Sequence, residues 1–190
     1  MPMSDMELAN AVAYGLRTLT VTDPSGAVAG ANADAGGHRV SHQGLMGAIL
    51  ARGAMRDEKS PAAQLELGER TIAAGKGVCT HLAAAVVHRL IACGMARNKI
   101  EIMTTNRGHG YGHTFNAINR VGDPGDIDSW GADCIIVDIW MANQQHTSES
   151  TTVEAATANF GQGAFYLRNN SGYKDYLSRF GNSKGVVTHF

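Results

Sequence analysis

Three residues of this chain carry chemistry by type and by setting: Cys79, His113 and Asp138. Thiol, imidazole and carboxylate are the parts of a nucleophile, a base and an orienting acid. Cys79 directly precedes a run in which Leu82, Ala83, Val86, Val87, Leu90 and Ile91 recur at i, i+3, i+4, i+7, i+8 spacing, closed by Gly94. A thiol at the head of that helix feels the positive end of the helix dipole and nearby N–H groups, which favour thiolate. Gly75, Lys76 and Gly77 precede it in a turn where backbone N–H groups can approach a substrate closely. The Cys79 amide and one further donor are candidates for holding an oxyanion, with Gly77 on the substrate side and Gln64 as the candidate second donor.

The base and the acid must be positioned by strands. Lys99 to Thr105 (KIEIMTT) alternates in polarity, and His113 to Val121 (HTFNAINRV) alternates with Phe115 and Ala117 on the side of His113. Cys134 to Trp140 (CIIVDIW) is a third β-rich run with Asp138 inside it. Pairing the last two as a hairpin across the turn-rich segment Gly122 to Gly131, with Arg120 against Gly131, puts Ala117 opposite Cys134 and His113 opposite Asp138. Directly opposed residues on one face have Cβ atoms about 4.5–5.5 Å apart, within reach of an imidazole–carboxylate hydrogen bond.

Around this centre the chain is plainer. Ser4 to Leu16 reads as a helix capped by Ser4, with Leu8, Val12 and Leu16 in one stripe. Thr18 to Gln43 is rich in Thr, Asp, Gly, Ala and Asn and offers little to bury, so the region up to residue 44 is read as a loose N-terminal arm. Gly44 to Arg52 and Ser60 to Ala74 look helical, the second with Ser60 as N-cap and Pro61 at the first helical position. Ser148 to Phe160 reads as another helix, and the Tyr-containing tail has no clear period. The elements predict one α+β domain, 1–190, with a catalytic core at 75–140 and a helical N-terminal portion packed on a short, mainly antiparallel sheet.

Composition narrows the function classes. Against 17 Asp and Glu stand 16 Lys and Arg, a formal charge of -1, so no global positive field exists to hold nucleic acid or an anionic membrane. No apolar run of about 18 residues suggests a membrane span, and Asp5 and Glu7 stand where a conventional signal peptide carries basic charge. Three cysteines, an odd number, are read as reduced thiols, with Cys93 and Cys134 structural. His109 and His113 lie four apart, but Gly110 and Gly112 argue against the helix that would put both on one metal, so no metal or cofactor is expected. A phosphate loop at Gly75-Lys76 fails at Arg70 and Gly77. The bland alternatives are a buried structural thiol for Cys79, a structural ion pair for Asp138 and core positions for Trp130 and Trp140.

The stretches GKGVCTHLAAAVVHRL, GHTFNAINR and WGADCIIVDIW have the chain order Cys at a helix start, His on a strand, Asp on the next strand. In this the sequence resembles the papain-like and transglutaminase-like cysteine hydrolases, and looks most like the small catalytic domains of bacterial toxins and injected effectors. The likeness covers about Gly75 to Trp140. It implies Cys79 as nucleophile, His113 as general base, Asp138 as orienting acid and Trp140 as an aromatic flanking that acid. One departure is the absence of a glutamine a few residues before Cys79, where papain-type proteases keep an oxyanion donor. The resemblance implies peptide cleavage, deamidation of glutamine or asparagine, or acyl transfer, all through one acyl-thioester. It also implies a protein substrate in a host or target cell and secretion without a conventional signal peptide. The rival expectation is a non-catalytic protein-binding module that has kept this shape, with its Gly-rich loops as the recognition surface. Nothing in the sequence sets an oligomeric state.

Overall fold

The computed structural model describes residues 2–20, 60–74, 79–106, 112–139, 142, 163–178 and 186–190. Four helices lie among them: α1 (Asp5–Thr20), α2 (Pro61–Ala74), α3 (Cys79–Ala92) and α4 (Ser171–Ser178). Five strands, β1 (Ile100–Asn106), β2 (Gly112–Ile118), β3 (Ile135–Val137), β4 (Ala164–Tyr166) and β5 (Val186–His189), form one sheet in the order β4-β3-β2-β1-β5. Every neighbouring pair is antiparallel, so the domain is α+β. The segments expected as helices at 44–52 and 148–160 lie outside the described residues, as does 21–44 of the expected arm. Residues 5–20 of that arm form α1, whose Ala9, Val12, Ala13 and Leu16 are buried in the core.

Local signals explain the helices. At α1 the Ser4 N–H and hydroxyl donate to Glu7 Oε2 (2.7 and 2.8 Å) and the Glu7 N–H donates to Ser4 Oγ (3.3 Å), a reciprocal capping box. Ser60 Oγ accepts the Ala63 N–H (3.2 Å) ahead of α2, with Pro61 in its first turn. The stop of α3 is a Schellman motif: Gly94, at φ +94°, donates to Ile91 (3.0 Å), and Met95 donates to Leu90 (2.9 Å).

Strand alternation divides the core into two layers. Ile100, Ile102, Ile118, Ile135 and Val137 face one way and pack with residues of α1 and α3. Met103, Phe115, Ala117 and Ile136 face the other way and pack with Trp130, Cys134, Leu167, and Tyr173 and Leu177 of α4. The sheet is thereby covered on both faces, and the C-terminal tail, aperiodic in sequence, supplies the second layer.

The β2–β3 hairpin forms, but not in the register read from sequence. At the base of its loop the Val121 N–H donates to the Trp130 carbonyl (3.2 Å), the alignment that sets Arg120 against Gly131. A turn then intervenes, closed by the Cys134 N–H on the Gly131 carbonyl (3.4 Å), with Gly131 at φ +85°. It adds two residues to the β3 side, so Ala117 pairs with Ile136, not Cys134, and Asn116 with Val137. His113 and Asp138 are consequently not directly opposed. Because the slip is even, every side chain keeps its face.

Gly68 of α2 faces α3 so closely that an added Cβ would lie 2.3 Å from the Ala84 carbonyl oxygen and 2.8 Å from His88 Cβ. Gly68→Ala sets a helix-propensity gain of about 1 kcal/mol against an overpacking cost of about 1–3 kcal/mol. Because the obstacle includes backbone, net destabilisation by about 1–2 kcal/mol is expected in urea unfolding. A more stable variant would contradict the close packing of α2 on α3.

Candidate active site

Asp138 stands one residue beyond β3 and is 1% exposed. Its backbone is fixed on both sides: the N–H donates to the Gly163 carbonyl (3.0 Å) and the carbonyl accepts the Ala142 N–H (3.1 Å). Continuing the β2–β3 register places it opposite Phe115, two residues from His113 on the same face. The diagonal is short enough for side chains to meet. His113 Nε2 lies 2.6 Å from Asp138 Oδ2, and since a carboxylate only accepts, Nε2 carries the proton. His113 is 3% exposed, its ring stacked on Phe115 (centroids 5.8 Å apart), and its backbone is pinned at the strand end by Thr105.

Cys79 opens α3 where that helix meets the start of β2, and its neighbour Thr80 reaches the Thr114 hydroxyl (3.4 Å). The thiol is hydrogen-bonded to the His113 side chain and receives the Thr114 backbone N–H. With Nε2 committed to Asp138, Nδ1 is the ring nitrogen left for the thiol. Cys79 is half-buried, whereas His113 and Asp138 are buried, so the thiol is the member that reaches the surface. As the first residue of α3, its N–H belongs to the turn whose donors have no intrahelical acceptor.

Burial and charge compete at this centre. Burial alone pushes the His113 imidazolium toward deprotonation, but the charge and hydrogen bond of Asp138, aided by Cys79, override it and raise the ring from 6.5 to about 10. Burial likewise pushes the Cys79 thiol up; the hydrogen bond and charge of His113 and the Thr114 N–H outweigh it and hold the thiol below its ordinary value. Asp138 opposes the thiolate by its negative charge, yet it is the source of the cationic ring that creates it. Cys134 supplies the contrast: buried without such a partner, it is pushed up to about 12.

The structure therefore brings together Cys79, His113 and Asp138. It does not bring Gln64 to them. The Leu65 carbonyl meets His88 Nδ1 (3.3 Å), nine residues along α3 from Cys79, which is about 14 Å of helix. Gln64, buried next to Leu65, sits at that far end, because α2 and α3 run antiparallel. Gly77 and Trp140 lie outside the described residues. Trp130 is a core residue, its indole N–H donating to the Asp123 carbonyl (3.0 Å). Sequence reasoning missed Tyr173, whose hydroxyl donates to Asp138 Oδ2 (2.8 Å). The sequence marks only the start of its helix: Asn170 is a helix-capping residue type, and its Oδ1 accepts the Tyr173 N–H (2.9 Å) at the start of α4. Among the described residues no cluster of His, Cys, Asp or Glu has the makings of a metal site, and no helix is long and apolar enough to cross a membrane.

Compared with family models, curated proteins and solved structures, the chain matches none.

The three cysteines should separate by reactivity. Alkylated at a pH about two units below the reference thiol value of ~8.5, Cys79 should label first, Cys134 should resist until the protein unfolds, and exposed Cys93 gives the rate for comparison. Peptide mapping reads the order, and His113→Ala, which leaves burial to raise the thiol, should slow Cys79 to the Cys93 rate or below. Labelling of Cys79 no faster than Cys93 would contradict the geometry.

Proposed function

We propose that this protein is a thiol-dependent amide hydrolase or acyltransferase acting on an amide of a protein, a glutamine or asparagine deamidase, cysteine protease or transglutaminase of papain-like type. The observation that carries the reading is the continuous chain from the half-buried Cys79 thiol through His113 to the buried Asp138 carboxylate, with the thiol lowered and the imidazole raised. A buried structural cysteine gains nothing from such a partner; Cys134 shows the ordinary outcome. The resemblance of the flanking motifs to toxin and effector domains extends the proposal to secretion without a conventional signal peptide and a substrate inside another cell.

In the first half-reaction the Cys79 thiolate adds to the carbonyl carbon of the amide, and the developing oxyanion lies near the helix N-terminus, where the Cys79 N–H is a donor. Collapse of the tetrahedral intermediate breaks the C–N bond as the His113 imidazolium delivers its Nδ1 proton to the leaving nitrogen, releasing ammonia or an amine. The product is an acyl-thioester and a neutral imidazole. In the second half, His113 takes a proton from water, or from an acceptor amine, which attacks the thioester and frees Cys79. Asp138 holds Nε2–H throughout, so the ring always turns Nδ1 to the reaction. No step calls for a metal or cofactor.

Two measurements test this. Intact-mass analysis of candidate substrate proteins, incubated with wild type and with Cys79→Ala, should show a Cys79-dependent change: a gain of about 1 Da for deamidation, fragments for proteolysis, or an amine adduct for transamidation, each through the same thioester. A Cys79→Ala protein as active as wild type would overturn the reading and favour the binding module. For a responsive substrate, kcat/KM should rise as pH climbs through the lowered Cys79 value and fall as the His113 imidazolium deprotonates at about 10. A profile that only begins to rise in the ordinary thiol range would contradict the ion pair.

A further inference from the structure

Asp138 ends the β3 ladder, and its backbone hydrogen bonds fix the main chain but not the plane of its carboxylate. The terminal torsion of an aspartate is broad and nearly two-fold, so donors must set it. Two donors converge on the same oxygen, Oδ2: His113 Nε2 at 2.6 Å and the Tyr173 hydroxyl at 2.8 Å. Tyr173 is 0% exposed, and its ring is met edge-on by Phe115 (5.8 Å, 86°) and Phe165 (5.2 Å, 70°). The backbone around it is held as well, by the Asn170 cap and by the Lys174 N–H on the Asn170 carbonyl (3.2 Å). A phenol with both torsions so confined offers its hydroxyl at one point in space.

Resting on the reading of Cys79 as nucleophile, we infer that Tyr173 is a positioning residue: it sets the plane of the Asp138 carboxylate and, through it, aims the His113 ring at the thiol. The C-terminal helix α4 is then a working part of the catalytic centre, not a cover over the second core layer. Phe115 joins the two arms of the device, because its ring stacks on His113 and takes the edge of Tyr173.

The test is Tyr173→Phe, which keeps the ring between its aromatic neighbours and removes one hydroxyl. On a substrate found by the intact-mass experiment, kcat should fall by about tenfold with KM unchanged, as expected for a misaimed base. In parallel, the His113 Nε2 proton, followed by nuclear magnetic resonance, should lose protection and broaden as the carboxylate gains freedom, while thermal unfolding stays cooperative. A kcat within twofold of wild type, together with an unaltered Nε2 proton, would overturn the proposal and leave Tyr173 a packing residue. If no protein shows Cys79-dependent chemistry, the hydrolase reading falls separately, and the resonance still decides whether Tyr173 governs the Asp138–His113 pair. Should Tyr173→Phe fail to fold, a ring-fluorinated tyrosine at this position, which changes the acidity of the hydroxyl and little else, should shift the same resonance; no shift would be the contrary result.

Discussion

A carboxylate that is 1% exposed at the end of an apolar strand is the constraint on which the site depends. Burying an ionised group costs several kcal/mol unless it is paired and hydrogen-bonded. Among the described residues, two side chains from different elements help Asp138 meet that demand, His113 on β2 and Tyr173 on α4. Satisfying it fixes much else. Strand β2 must lie beside β3, the loop between them must end in the two-residue insertion at Gly131–Cys134, and the tail must return to cover the second face of the sheet.

The same carboxylate supplies the electrostatics. In a buried site burial and charge are both amplified, and the sign of each shift shows which wins. At His113 the nearby negative charge prevails and the ring is cationic over the neutral range; at Cys79 that cation prevails and the thiol is lowered. Cys134, a short distance away in sequence from Asp138, lies in the core on the far side of β3 from α3 and moves the opposite way. Position relative to Asp138 and His113, rather than cysteine chemistry itself, lowers one thiol and leaves the other raised.

Much of this was legible in the sequence because the signals were local. The apolar period after Cys79 and the glycine at 94 announce α3 and its end; Ser4, Ser60 and Pro61 announce two helix starts; alternation announces the strands that carry His113 and precede Asp138. The face shared by His113 and Asp138 was readable as well, since it depends only on parity. The register was not, because the chain turns once more at Gly131–Cys134, between the turn-rich loop and the β-rich run, and that turn shifts the pairing by two residues. Nor was Tyr173: its role is set by a contact 35 residues away in sequence, from a tail without period. Gln64 shows the converse error, a donor chosen by type but carried away from Cys79 by the antiparallel packing of α2 on α3.

The most direct measurement is the ultraviolet thiolate absorbance of the folded protein as a function of pH, taken as the difference between wild type and Cys79→Ala. A thiolate transition well below the reference thiol value of ~8.5, abolished in His113→Ala, is the expected result. A transition at or above that reference, indifferent to His113, would contradict the buried charge chain and with it the catalytic reading of Cys79.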